Sequence, residues 1–152
     1  MMRTLILLAL LIVPQVGWAQ NRSSASDETS AAVKLRMWTV HATNAHGKTD
    51  DKLKRIGKHL RRLKYSGFKY VDAQGGTVRQ DGKIQMPIPG GRSVRLTLLS
   101  KTADKARVRV RIKGKKKVIL DTTVSIRRNG FFMVAGPKYD GGVLVLPIFA
   151  RY

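Results

Sequence analysis

The most regular hydrophobic pattern in the chain lies at residues 105–126, KARVRVRIKGKKKVILDTTVSI. Over 105–113 the even positions Ala106, Val108, Val110 and Ile112 are apolar, while Lys105, Arg107, Arg109, Arg111 and Lys113 hold the odd ones. Side chains alternate faces along a strand, so this period of two sets every cation on one side and every aliphatic on the other. After Gly114 the even positions Val118, Leu120, Thr122, Val124 and Ile126 stay mostly apolar, which predicts a second strand. A three-residue loop, Gly114-Lys115-Lys116, keeps both apolar sets on one face; it pairs Lys113 with Lys117, Ile112 with Val118, Val110 with Leu120 and Arg109 with Asp121. The parity runs backward into 93–99, where Val94, Leu96 and Leu98 share the apolar face and Arg95 and Thr97 the other. A hairpin pairing Leu98 with Ala106 sets Arg95 beside Arg109.

Upstream, VKLRMWTVHAT (33–43) also alternates and predicts a first strand. The period then changes. Leu53, Ile56, Leu60 and Leu63 recur at spacings of three and four, the stripe of an amphipathic helix over 50–64. Thr49 or Asp50 can cap it, Asp50 and Asp51 suit its first turn, and Arg61, Arg62 and Lys64 suit its last. Gly57 costs about 1 kcal/mol against alanine inside such a helix, so packing must supply the stability. From Tyr65 onward the period returns to two, with strands predicted at 68–71, 77–80, 83–88, 131–134 and 143–150. Asp81-Gly82 reads as a two-residue hairpin, and Pro89-Gly90-Gly91, Asn129-Gly130 and GPKYDGG (136–142) as further turns. Eight or so strands with one helix after the first predict an α+β fold: a mostly antiparallel twisted sheet or small β-sandwich.

The first 19 residues fall outside that pattern. Arg3, an apolar run over 5–13, Pro14 and then Gly17-Trp18-Ala19 form the pattern of a cleaved signal peptide. The run of nine is too short for a bilayer span, which needs about 20 residues, so no transmembrane span is expected. Residues 20–32, QNRSSASDETSAA, are small and polar and read as a disordered leader. A single β-rich domain over 33–152 remains, large enough for its own core. A periplasmic or secreted location follows.

Composition then narrows the chemistry. The chain has no cysteine, which removes disulfides, thiolate metal sites and thiol nucleophiles. Its formal charge is +21, and losing Arg3 with the signal leaves +20. Such a surface attracts polyanions: acidic lipid head groups, acidic glycans, and DNA where it is present. The nine acids leave little for acid–base catalysis: Asp27 and Glu28 lie in the leader, Asp50 and Asp51 start the helix, and Asp140 sits in a turn. No nucleophile elbow occurs, and the serines lack a partner pattern. His41, His46 and His59 lack the spacing of a metal site and are expected in loops or on the polar side of the helix. GGTVRQDGKI (75–84) has the wrong spacing for a phosphate loop and reads as a hairpin. These observations predict a protein that is not an enzyme and needs no cofactor or metal. The basic helix fits packing on its own sheet better than a membrane surface, because its stripe has only aliphatics. The strands look shorter than the 9–11 residues of a membrane-spanning barrel.

The candidate site is therefore Arg95, Arg107, Arg109 and Arg111, with Lys113, Lys115, Lys116 and Lys117 at the hairpin tip. The same alternation also describes the solvated outer face of an ordinary sheet, whose arginine stems cover apolar rims. Like charges set beside each other weaken a sheet by some tenths of a kcal/mol, roughly, unless an anion answers them. Base-stacking aromatics are missing from this face, so generic electrostatic binding is expected rather than sequence-specific recognition. The other expectation is an accessory protein of a secretion or cell-surface apparatus, docking an acidic protein partner. Three blocks, DDKLKRIGKHLRRLKYSGFKY, MPIPGGRSVRLTLL and GPKYDGGVLVLPIFA, resemble a group of small exported bacterial proteins over roughly residues 34–150. The resemblance implies a leader, a strand, one helix and a β-rich remainder, and it brings no activity, cofactor or site residue with it.

Overall fold

Alternating residues make the strands, and the structure, a computed structural model describing residues 32–45 and 47–152, shows how they pair. The predicted signal peptide, all but the last residue of the predicted leader, and His46 lie outside the described residues. Among the described residues eight strands follow in order: β1 (Val33–Thr43), β2 (Gly67–Val78), β3 (Lys83–Ile88), β4 (Arg92–Lys101), β5 (Lys105–Lys113), β6 (Val118–Arg127), β7 (Phe131–Tyr139) and β8 (Gly142–Arg151). They form two four-stranded antiparallel sheets, β2-β1-β8-β7 and β3-β4-β5-β6. Each hydrogen-bonded neighbour is also a neighbour in sequence except β1 and β8, which tie the two ends of the meander together. The α+β, sandwich-like expectation holds.

Parity fills the space between the sheets. Leu35 and Met37 from β1, Leu96 and Leu98 from β4, Val108, Val110 and Ile112 from β5, and Leu144, Leu146 and Ile148 from β8 are fully buried in one cluster. Burying a side chain of this size stabilises by about 1.5–3 kcal/mol, so alternation alone commits these strands to a common core.

The helical segment is shorter and tighter than expected. A 3₁₀ segment (Asp51–Ile56) passes into one α-helical turn, α1 (Gly57–Leu60), and residues 61–64 leave the helix. Leu53 and Ile56 are three residues apart, which matches the 3₁₀ period, and Gly57, a poor helix former, sits at the change of geometry. Asp50 caps the segment, its carboxylate accepting from the Lys52 amide at 3.2 Å. Leu53, Ile56 and Leu60 bury against Val40, Ala42, Phe68, Val145 and Phe149, forming a second apolar cluster on the outer face of the first sheet.

Three other expectations change. β2 runs over twelve residues where the sequence predicts two short pieces. Its middle, Asp72 to Gly76, has no alternation, and pairing along the whole of β1 holds it extended. Asp81-Gly82 is a turn, but not a hairpin within one sheet: β2 and β3 belong to different sheets. The turn docks on β4 instead, with the Asp81 amide donating to the Leu98 carbonyl (2.7 Å) and the Leu98 amide to the Gly82 carbonyl (3.0 Å). Gly136 to Tyr139 continue β7 through a bulge between Ala135 and Lys138, which leaves Asp140-Gly141 as the turn. Seven of the eight strands have 9–12 residues, longer than expected. The interior is nonetheless a packed apolar core with the arginines of β5 outside, the reverse of a lipid-facing barrel. Among the described residues, no helix is long and apolar enough to cross a membrane.

Candidate polyanion-binding face

The outer face of the second sheet is built by the odd positions of β3 to β6. On β5, Lys105, Arg107, Arg109 and Lys113 are exposed and Arg111 half-exposed, while the even positions between them are buried. At about 3.3 Å per residue, Arg107 to Lys113 forms a basic stripe of roughly 20 Å. Arg95 joins it from β4.

The register differs from the expected one by two residues while preserving the parity. Arg95 lies opposite Arg111 rather than Arg109, and Leu98 opposite Val108 rather than Ala106. Val110 lies opposite Thr122, Ile112 opposite Leu120, and Arg111, not Arg109, opposite Asp121. Turn length and bulges set both displacements together. The turn after β4 displaces the β4–β5 ladder by three and the extra residue Leu99 takes one back. The four-residue tip loop 114–117, which pairs Lys113 with Val118, and the extra residue Ile119 on β6 each displace the β5–β6 ladder by one.

One row thus crosses the whole sheet: Gln85, Arg95, Arg111, Asp121. Arg95 Nη2 donates to Gln85 Oε1 at 2.9 Å. Asp121 receives both arginines of the stripe. Arg109 Nε and Nη2 donate to its two oxygens at 2.7 and 2.8 Å, and Arg111 Nε and Nη2 both reach Oδ2, at 2.9 and 2.7 Å. These hydrogen bonds, first from Arg109 and then from Arg111, hold the Asp121 carboxyl well below the usual carboxylate range, and the bond to Asp121 raises Arg109 further. The triad has a net charge of +1 and fixed side chains. Arg107 and Lys113, beyond its ends, point to solvent.

The tip lysines meet a second hairpin. Lys115, Lys116 and Lys117 line a cleft of about 410 Å³ with Arg92, Gly90 and Ile119. Gly90 and Gly91 have φ of +86° and +66°, the left-handed backbone that glycine accepts, and the Lys115 stem lies across Gly91. A bulkier residue at 91 would push Lys115 away. The structure therefore brings all eight expected cations to one face and its tip. It adds Lys83 and Gln85 from β3, Arg127 from β6, and Arg92 at the tip. Sequence reasoning missed the β3 residues because it paired β3 with β2, although their odd numbering carried the signal.

The remaining chemistry-bearing groups lie elsewhere. His41 lies in β1, as the alternation over 33–43 predicts and against the loop reading of the histidines, and its Nε2 is 3.0 Å from the Tyr139 carbonyl oxygen. It lines an open cleft of about 690 Å³ with Lys48, Asp50, Asp51, Lys69 and Asp140. Among the described residues, no three His, Cys, Asp or Glu side chains group as metal ligands would. Comparison with protein-family models, curated proteins and solved structures finds no match.

Proposed function

We propose that this chain is an exported, non-enzymatic binding module that holds polyanionic envelope or extracellular material on the outer face of its second sheet. The supporting observation is the side-chain order of β5, where Arg107, Arg109, Arg111 and Lys113 leave the sheet in one direction and continue into the lysine tip. A solvated face needs no such concentration of one sign, since mixed charges stabilise a sheet surface better. Asp121 supports the reading because it orders two arginines without neutralising the stripe. A pre-ordered fork loses less entropy on meeting a phosphate, sulfate or carboxylate. With no stacking aromatics among the candidate residues, recognition is by charge and spacing.

Heparin and anionic vesicles are the probes. If some five contacts form, log affinity falls against log salt with a slope of roughly −3.5 to −4.5, by analogy with −0.7 to −0.9 per phosphate in nucleic acid. Charge reversal of Arg107, Arg109 and Arg111 together abolishes binding under this proposal. A salt-independent affinity, or a triple variant that binds as before, rejects it.

A second reading, an accessory protein docking an acidic protein partner, draws on Val118 and Ile119. They are 47% and 41% exposed, and Ile119 lies within the lysine-lined tip. Binding confined to one acidic protein, with heparin and vesicles ignored, favours that reading.

A further inference from the structure

The helical segment covers only part of the outer face of the first sheet. It lies over Val40 and Ala42 of β1 and Val145 of β8. Toward the other end of the same two strands, Lys34 and Arg36 of β1 and Arg151 of β8 are exposed. A groove of about 120 Å³ forms there, lined by Lys34, Arg36, Trp38, Arg55, Phe149 and Arg151.

We infer that this groove is a separate binding site for a phosphate-type oxyanion carrying a ring or other apolar substituent. Three observations converge on it. First, the four cations come from three distant segments, and among the described residues the lining includes no carboxylate. Lys34 stands directly opposite Arg151 in the β1–β8 ladder. Like charges so placed destabilise a sheet, and a bound anion reverses the sign of that interaction. Second, the lining includes two aromatics. The rings of Trp38 and Phe149 are 4.7 Å apart, and the Arg55 guanidinium lies 5.7 Å from the Phe149 centroid. An apolar substituent on such rings would leave its anionic group among the guanidinium forks, which match tetrahedral oxyanions. Third, Arg36 is flanked on the β2 side by Gly75, which has no side chain to close the groove. An added Cβ at Gly75 would strike the Leu35 carbonyl oxygen, so that side must stay bare.

This site differs in kind from the second-sheet face. The latter is a long stripe without aromatics that suits a repeating polyanion. The groove admits one anionic group and the start of what it is attached to.

The test uses the full chain carrying Trp18→Phe, which leaves Trp38 as the one tryptophan. Phenyl phosphate is titrated and Trp38 emission followed. A saturable change is expected, with phenyl phosphate binding about tenfold tighter than inorganic phosphate because the ring is partly buried. Arg36→Gln/Arg151→Gln weakens binding about tenfold or more through lost charge-assisted hydrogen bonds. Arg55→Gln, a change outside the sheets, weakens it several-fold, and Arg107→Gln/Arg111→Gln leaves it unchanged. Glucose 6-phosphate competes if the natural source is soluble; phosphatidic acid in phosphatidylcholine vesicles competes if it is a lipid head group. No saturable change, an equal response to benzyl alcohol, equal losses in the groove and stripe variants, or failure of both competitors overturns the inference.

Discussion

Arg111 stands directly across from Asp121 in the β5–β6 ladder, with its Nη2 2.7 Å from Asp121 Oδ2. Arg109, one row away, reaches the same carboxylate diagonally at 2.7 Å. The acid is thus shared by two arginines that would otherwise repel each other along one strand, and it fixes both heads above the sheet. Sheet order and anion binding act in opposite directions here: the residue that steadies the stripe also occupies part of its donor capacity.

Asp121→Asn should therefore strengthen polyanion binding. It raises the charge of the stripe by one and frees charge-assisted donors on Arg109 and Arg111. The log–log salt slope for heparin should steepen by about 0.7–0.9, the equivalent of one more contact. An unchanged or shallower slope would show that the fixed geometry matters more than the released charge.

The same carboxylate sets an acid limb in the stability profile. Its folded-state pKa lies below the ordinary value, so its stabilising effect is present above about pH 3.9 and is lost as pH falls from there toward the folded value. Solvent exposure keeps the effect small. In urea melts, the gap between wild type and Asp121→Asn should be constant from pH 8 to 5 and narrow below about pH 4. A gap that instead widens in acid would assign the stabilisation elsewhere.

Two adjacent glycines of β2 should respond differently to alanine. At Gly75 the new methyl meets backbone, the Leu35 carbonyl, whereas at Gly76 it meets the flexible end of Ile84 at 3.3 Å. Gly75→Ala should cost about 1–3 kcal/mol or more by overpacking. Gly76→Ala should be near neutral or stabilise by up to about 1 kcal/mol through reduced unfolded-state entropy. Denaturation midpoints of the pair check this, and equal losses would contradict the placement of Gly75 against β1.

Tyr152 buries its hydroxyl without a hydrogen-bond partner among the described residues, while its main-chain oxygen accepts from Arg128 Nε at 2.6 Å. The ring also lies under Lys101 Nζ, at 4.9 Å from the centroid. Phenylalanine retains the ring and the main-chain bond and removes the unsatisfied group, so Tyr152→Phe should leave stability unchanged or raise it by about 1 kcal/mol. A loss beyond 1 kcal/mol would mean that the hydroxyl has a partner.

The direction of the β5 side chains was legible in the sequence because strict alternation leaves a strand one way to bury its aliphatics. The register was not. Leu99 and Ile119 are apolar residues in strand-like surroundings, and nothing local marks them as bulges, yet each shifts its ladder by one, and Ile119 together with the four-residue tip loop exchanges Arg109 for Arg111 opposite Asp121. β2 was hidden for a different reason: Asp72, Gln74 and Gly75 have little strand preference and are extended by the pairing partner they acquire. The helical stripe was visible, but its 3₁₀ start was not, since spacings of three and four fit either geometry over one turn. The groove on the first sheet could not be seen at all, because Lys34, Arg36, Arg55 and Arg151 meet only after β1, β8 and the helical segment have packed.

Placement, rather than total charge, is what the polyanion account requires, and a charge-matched pair of variants separates the two. Arg107→Glu/Arg111→Glu and Lys58→Glu/Arg62→Glu change net charge equally; the first pair lies on the stripe, and the second at exposed positions in and just after the helical segment. In heparin binding at a fixed salt concentration near 0.15 M, the stripe variant should lose affinity by a factor of about 100 or more, and the helix variant by less than about fivefold, because exposed charges beyond a Debye length of ~8 Å are largely screened. Equal losses in the two variants would contradict the account and reduce the basic face to one part of a uniformly charged surface.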